Sequence, residues 1–139
     1  MRPMPGDRFL YTNILIYAFT TGDRRCAPAE ALLAAGGVIG VQVLNEFTNV
    51  VRRKLRWDWP QLDAALEVIA ELTAPARPLT ADIQTHAVKL ARTSTLSFYD
   101  ALIIAATADA GCRVLLTEDM QHGRKFGGVT IRNPFLKET

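Results

Sequence analysis

The segment FYDALIIAATADAGCRVLLT (residues 98–117) most constrains the fold of this chain. Its first part has helical length and is apolar on most sides, so it needs cover on more than one face. Gly111 ends it, and CRVLLT then reads as a strand. A buried helix feeding a buried strand is the unit from which layered α/β proteins are built.

The rest of the chain repeats that alternation. RFLY at 8–11 is a short apolar strand, and Thr12 suits the N-cap of a helix running from Asn13 through ILIYAF. Pro28 opens the helical stretch PAEALLAA, Gly36 and Gly37 stop it, and VIGV at 38–41 has strand character. From Gln42, Val43, Leu44, Phe47, Val50 and Val51 form a stripe with helical spacing. Pro60 begins another helix, with Leu62, Leu66 and Ile69 on one face, ending before Pro75. Thr80 begins a further one, TADIQTHAVKLART. Ser97 precedes the buried helix, and VTI at 129–131 is the last strand. Right-handed crossovers between such strands place helices on both faces of a parallel sheet. A single domain spanning 1–139 is expected, with a three-layer α/β/α fold around a central, mostly parallel sheet.

Composition narrows the function classes. The hydrophobic fraction is 49% and the charged fraction 22%, ordinary for a soluble globular protein. Sixteen basic against fourteen acidic residues give +2, too mild a charge to imply a polyanion partner by itself. Cys26 and Cys112 lack zinc-ligand spacing and read as isolated reduced thiols. The apolar run near residues 9–19 is short and interrupted, so a soluble, cytoplasmic protein with no membrane association is expected.

Three acids stand out against the apolar background: Glu46 in VQVLNEFTNVV, Asp100 in SFYDALIIAA and Asp119 in VLLTEDMQHG. Ligands of open α/β sheets bind beyond the carboxyl ends of the strands. Asp119 lies at such an end, and Glu46 and Asp100 lie in early turns of helices able to face it. Convergent carboxylates suit Mg²⁺ or Mn²⁺, which lower the pKa of bound water and offset charge on a phosphoryl group. Taken singly, each acid also has a structural reading. Glu46 favours the helix dipole, Asp100 completes a capping box after Ser97, and Asp119 with Glu118 suits a loop.

Two basic groups bear on a nucleic-acid partner. Arg52, Arg53, Lys54 and Arg56 precede Trp57 and Trp59, where they either hold phosphates or complement a helix C-terminus. The tryptophans are expected to pack in the core or a partner interface. Arg124 and Lys125 follow Asp119 in one loop and are candidate RNA contacts, whereas His122 reads as incidental.

LYTNILIYAF, the helix with NEF, FYDALIIAAT and LLTEDMQHG together resemble the successive motifs of PIN-domain proteins, specifically VapC-like toxins of toxin-antitoxin pairs. The resemblance covers nearly the whole chain. It implies a Mg²⁺- or Mn²⁺-dependent endoribonuclease acting on RNA, a homodimer, and inhibition by a cognate VapB-like antitoxin. The family's acids carry over to Glu46, Asp100 and Asp119, which would be catalytic and metal-binding. Thr12, Asn13 and Thr117 match its supporting polar groups. Tyr11 stands where the family pattern has its first aspartate. A phenol has an ordinary pKa of about 10 and supplies no anionic oxygen at neutral pH, so the resemblance implies impaired catalysis in this chain. The alternative is a catalytically dead PIN-fold protein that only binds an antitoxin or RNA. A receiver-like signalling domain also gathers acids at strand ends, but its acid pair after the first strand and late Lys are not found here.

Overall fold

The computed structural model describes residues 5–136. A single 3₁₀ turn at Pro5–Asp7 leads into β1 (Arg8–Leu10), followed by α1 (Thr12–Ala18), α2 (Cys26–Ala34), α3 (Val41–Arg53), α4 (Trp59–Leu72), α5 (Ala81–Thr93) and α6 (Phe98–Asp109). The chain then forms β2 (Val114–Leu116), β3 (Lys125–Phe126) and β4 (Val129–Arg132). The sheet order is β1-β2-β4-β3, parallel between β1, β2 and β4 and antiparallel only at the β3 edge. This is the expected three-layer α/β/α arrangement with a mostly parallel sheet. No helix among the described residues is long and apolar enough to cross a membrane.

Every residue of β1 and of β2 is buried, as strands covered on both faces must be. In α6, Ile103 and Ile104 belong to the main core while Ala101, Leu102 and Ala105 join Ile83 and Ala87 of α5 in a second cluster. The helix lies between the sheet and α5, which explains its nearly unbroken apolar sequence. Thr107, its one fully buried hydroxyl, donates to Ile103 O at 2.8 Å and needs no other partner.

The main core also holds α3 in place. Val43, Phe47 and Val51, one helical turn apart, are fully buried. Phe47 meets the Phe19 and Trp57 rings edge to face at centroid distances of 5.8 and 5.9 Å. Trp57 is therefore packed as expected. Trp59 is not: it is 58% exposed, with the Arg52 guanidinium stacked over its ring at 3.8 Å.

Several element boundaries differ from the sequence-based expectation. Thr12 is the first residue of α1 and not its cap; Tyr11 occupies the cap position in extended conformation without a side-chain bond. The α2 helix starts two residues before Pro28. In α4, Asp58 forms a reciprocal capping box with Gln61, so the helix begins at Trp59. VIGV forms only isolated parallel bridges, Phe9 with Val38 and Gly40 with Arg77, because Val41 is already the first residue of α3. The loop expected after Asp119 contains β3, paired with β4.

Arg8 is buried in spite of its charge. Its guanidinium donates to Leu32 O at 2.8 Å and to Gly36 O at 2.9 Å, and burial lowers its pKa. Those carbonyls belong to the C-terminal turn of α2 and the Gly36 that follows it at φ +88°, where unsatisfied oxygens and the negative dipole end meet. Removing the donor strands these acceptors. Arg8→Leu is expected to cost about 2–3 kcal/mol, the range for hydrogen bonds made by a charged group. Urea denaturation checks this, and Arg8→Lys recovers only part of the loss because an ammonium lacks the planar fork.

Candidate active site

Parallel pairing brings the ends of β1 and β2 side by side, Leu10 opposite Leu116. The next residues on each strand are Tyr11 and Thr117, and Tyr11 N donates to Leu116 O at 3.1 Å. The α3 helix packs against α1 and carries Glu46 to the same edge. There Thr12 Oγ1 donates to Glu46 Oε2 at 2.7 Å, and Gln42 Nε2 to Glu46 Oε1 at 3.5 Å. Thr12 is already inside α1, with Tyr11 at the cap position, so its hydroxyl serves Glu46 and not the helix end.

Ser97 Oγ accepts from Asp100 N at 3.2 Å, which fixes the start of α6 and the position of Asp100. Thr117 is fully buried; its hydroxyl accepts from Asp119 N at 3.1 Å and from Asn13 Nδ2 at 3.4 Å. These bonds tie the loop carrying Asp119 to α1. Asn13 Oδ1 is buried with no hydrogen-bond partner, so an oxygen remains available to water or a cation beside the acids.

A cleft of about 410 Å³ opens here, lined by Tyr11, Thr12, Asn13, Glu46, Asp119 and Tyr99, among others. Tyr11 is 8% exposed. Its phenol is pushed above the ordinary range first by burial, then by the charges of Glu46, Asp100 and Asp119. It is neutral at physiological pH. Asp119 is exposed at the rim, yet desolvation raises its pKa, with Glu118, Asp100 and Glu46 adding to the rise and the Asn13 amide opposing it. The donor set is all oxygen, as a hard divalent cation requires. Among the described residues, however, no group of three or more His, Cys, Asp or Glu is gathered closely enough to hold an ion. Tyr11, Glu46 and Asp119 line this cleft together, whereas Asp100 is not part of its lining.

The raised Asp119 pKa makes a testable statement about stability. The folded chain holds this proton more tightly than the unfolded chain. The resulting contribution is full below the ordinary carboxylate range and is lost as pH rises through the raised value. The Asp119→Asn variant escapes that loss. Without metal it is expected to melt higher than the parent near neutral pH, with the difference closing in acid. Thermal melts in chelator at the two pH values check this, and a variant melting lower at neutral pH counts against it.

Glu118, adjacent to Asp119, has a different role. Tyr17 Oη donates to Glu118 Oε1 at 2.5 Å, Arg25 Nη1 donates to Glu118 Oε2 at 2.8 Å, and the Arg25 guanidinium lies 4.3 Å from the Tyr17 ring centroid. Burial and this bond raise the Tyr17 phenol to about 12. Arg25 also bridges Asp23 at 2.6 Å. Glu118 is thus fully engaged in anchoring the loop from which Asp119 projects. Nothing in the sequence identified Tyr17 and Arg25 as its partners.

Other expected site residues lie apart from the cleft. Arg124 stacks over Phe126 at 4.6 Å and Lys125 lies in β3; neither lines the cleft. His122 Nδ1 accepts from Asn133 N at 3.0 Å, a structural role. Both cysteines are free thiols; burial raises the buried Cys112 to about 11, leaving it an unreactive thiol. A larger cavity of about 480 Å³ lies between α2, Leu116 and Pro134, but its walls are largely Pro, Ala and Leu, and Arg8 there is committed to carbonyls. Asn49 and Tyr99 line the acidic cleft and were not singled out in the sequence. Helical spacing from Glu46 was a signal for Asn49, and adjacency to Asp100 for Tyr99.

Comparison with known proteins agrees with this architecture. VapC20 of Mycobacterium tuberculosis, a sarcin-ricin-loop-cleaving toxin, shares the fold with a TM-score of 0.61 at 23% identity, over 78% of this chain and 86% of that one. A toxin-antitoxin complex from Klebsiella pneumoniae gives 0.70 at 19% identity over 92% and 98%. VapBC2 from Rickettsia felis, bound to a DNA fragment from its promoter, gives 0.65 at 20% identity over 91% and 97%. No curated protein matches the sequence. The family model of the PIN domain matches residues 9–125, from the first strand through the loop beyond the last acid. With the sheet order and the acid-lined edge, this makes the chain a member of the PIN-domain family.

Proposed function

We propose that this chain is a VapC-like ribonuclease toxin whose cleavage of RNA is impaired by Tyr11. The observation carrying this reading is that Glu46 and Asp119, from separate segments, line one cleft with Tyr11, Thr12 and Asn13 at the carboxyl ends of β1 and β2, and Asp100 lies beside Tyr99 of the same lining. With aspartate restored at position 11, Glu46, Asp100 and Asp119 would be the residues to hold Mg²⁺ or Mn²⁺, with Thr12 positioning Glu46 and Thr117, bonded to Asn13, positioning the backbone of Asp119. When bound, such an ion supplies an acidified water and neutralises phosphoryl charge. Thr12 holds Glu46, and Thr117 holds the backbone at Asp119. Tyr11 contributes a neutral, bulky group where a fourth anion would serve. Control by a VapB-like antitoxin is supported by the fold neighbours, which include toxin-antitoxin complexes; cytoplasmic action and a homodimeric state complete the proposal.

A second reading is favoured by the phenol that lines the cleft beside Glu46 and Asp119 and the lack of a metal-ready cluster among the described residues. The chain would then keep the fold and bind antitoxin or RNA without cutting. Incubating labelled RNA with the parent and with Tyr11→Asp, in Mg²⁺, Mn²⁺ or chelator, separates the two. Metal-dependent cleavage by the variant supports the enzyme. If the variant demonstrably binds metal and still leaves RNA intact, the binding reading prevails.

A further inference from the structure

The acidic cleft does not end at its acids. Asn49 and Val50, which line its wall, also line a second depression of about 290 Å³ completed by Arg53 and Lys54. Both cavities therefore lie along α3. Glu46 and Arg53 are seven residues apart, two helical turns or roughly 10 Å. Arg53 and Lys54 are exposed and form no ion pair or side-chain hydrogen bond among the described residues, unlike Arg52, which donates to Trp57 O and stacks on Trp59. The acidic cleft also holds Tyr99, 60% exposed and braced edge-on by Phe98 at a centroid distance of 5.6 Å. Its ring lines the cleft beside Tyr11, Glu46 and Asp119.

An exposed aromatic in one depression and uncommitted cations in the adjoining one match the needs of an unpaired nucleic-acid strand. A ring gives bases a stacking surface irrespective of sequence, while cations hold the phosphates. A duplex has no free base to offer the ring. The cations also lie outside the acidic centre, where phosphate would otherwise be repelled.

We propose that α3 carries an RNA track: Arg53 and Lys54 bind the backbone of a single strand on one side of the acids, and Tyr99 stacks an unpaired base at the acids themselves. This rests on the ribonuclease reading for its ligand class but needs neither metal nor cleavage. Tyr99, Arg53 and Lys54 are positioning residues.

The test is equilibrium binding of a fluorescent single-stranded oligoribonucleotide carrying 2-aminopurine, in chelator, to the full chain. Tyr99→Ala is expected to weaken binding about ten- to a hundredfold and to abolish 2-aminopurine quenching, while Tyr99→Phe preserves both. The double variant Arg53→Gln/Lys54→Gln is expected to lower the slope of log K against log salt by about 1.4, two phosphate contacts at roughly 0.7 each. All these positions are exposed, and circular dichroism of each variant verifies folding. The proposal is overturned if Tyr99→Ala leaves binding and quenching unchanged, or if the salt slope does not move. It also fails if polyglutamate competes as well as RNA, which would make the cations a docking site for acidic protein. Cleavage by Tyr11→Asp with no response to these variants refutes the track and spares the enzyme. A track without cleavage does the reverse.

Discussion

Replacing Tyr11 by aspartate is expected to raise metal-dependent RNA cleavage by about 10²-fold or more, the scale of adding one preorganised electrostatic group at a reacting centre. Position 11 follows β1 directly and adjoins Thr117 across the sheet. A carboxylate there adds an oxygen donor to Glu46, Asp100 and Asp119 and removes the ring that lines the cleft beside Glu46 and Asp119. Cleavage by parent and variant at matched metal concentrations gives the ratio. A parent cutting as fast as the variant would show that Tyr11 impairs nothing. Stability moves the other way without metal, because a fourth anion adds to the charge repulsion that, after desolvation, raises the Asp119 pKa. Tyr11→Asn is the control, since it loses the ring but adds no charge. In chelator the aspartate variant is expected to melt below the asparagine variant, and saturating metal reverses that order. An ion at a hundred times its Kd stabilises by about 2.7 kcal/mol. An aspartate form clearly more stable in chelator would remove the repulsion argument.

The second large effect is structural. Phe47→Ala is expected to destabilise the chain by about 3–5 kcal/mol, the usual cost of deleting a buried aromatic ring. Phe47 is fully buried and holds Phe19 and Trp57 edge to face, so the truncation leaves a void and ends both ring contacts. Against a total stability of roughly 5–15 kcal/mol this is a large fraction. Urea midpoints measure it, and a cost under about 1 kcal/mol would mean that the three rings are not the anchor of α3. Because Glu46 precedes Phe47, the same change in the Tyr11→Asp background is expected to lower cleavage as well as stability. Phe47→Leu retains much of the volume and loses less of both.

The elements were legible where one residue's character decided them. The continuous apolar sequence of α6 and its closure by Gly111 follow from solvent preference and backbone freedom, and the helix is found there. Boundaries failed where a side chain had two possible employments. Thr12 has the chemistry of a cap, but its hydroxyl reaches Glu46, 34 positions away. Pro60 drew the start of α4 away from Asp58, whose cap depends on Gln61 reaching back. Trp59 has the composition of a core residue and lies outside because Arg52 covers its face.

Glu46, Asp100 and Asp119 stood out in the sequence as carboxylates in an apolar background, and their joint placement at one sheet edge, more than any one of them, made them candidates. Asn49 and Tyr99 did not stand out, since polar or half-polar residues near a helix surface are common and only the shape of the cleft distinguishes them. The same holds for the neighbouring acids Glu118 and Asp119. In sequence they are nearly equivalent, yet Arg25 and Tyr17 engage the first and leave the second projecting at the rim.

Local pattern alone thus gave the layered α/β architecture and the candidate acids, and the family resemblance marked position 11, because burial preference and backbone propensity are properties of short segments. Tertiary structure decided what those residues meet. The register of β1 on β2 makes Tyr11 and Thr117 neighbours although 106 positions separate them, and the Tyr17 bond to Glu118 spans 101. Such pairings are chosen by the closure of the whole core, and no window of sequence contains both partners.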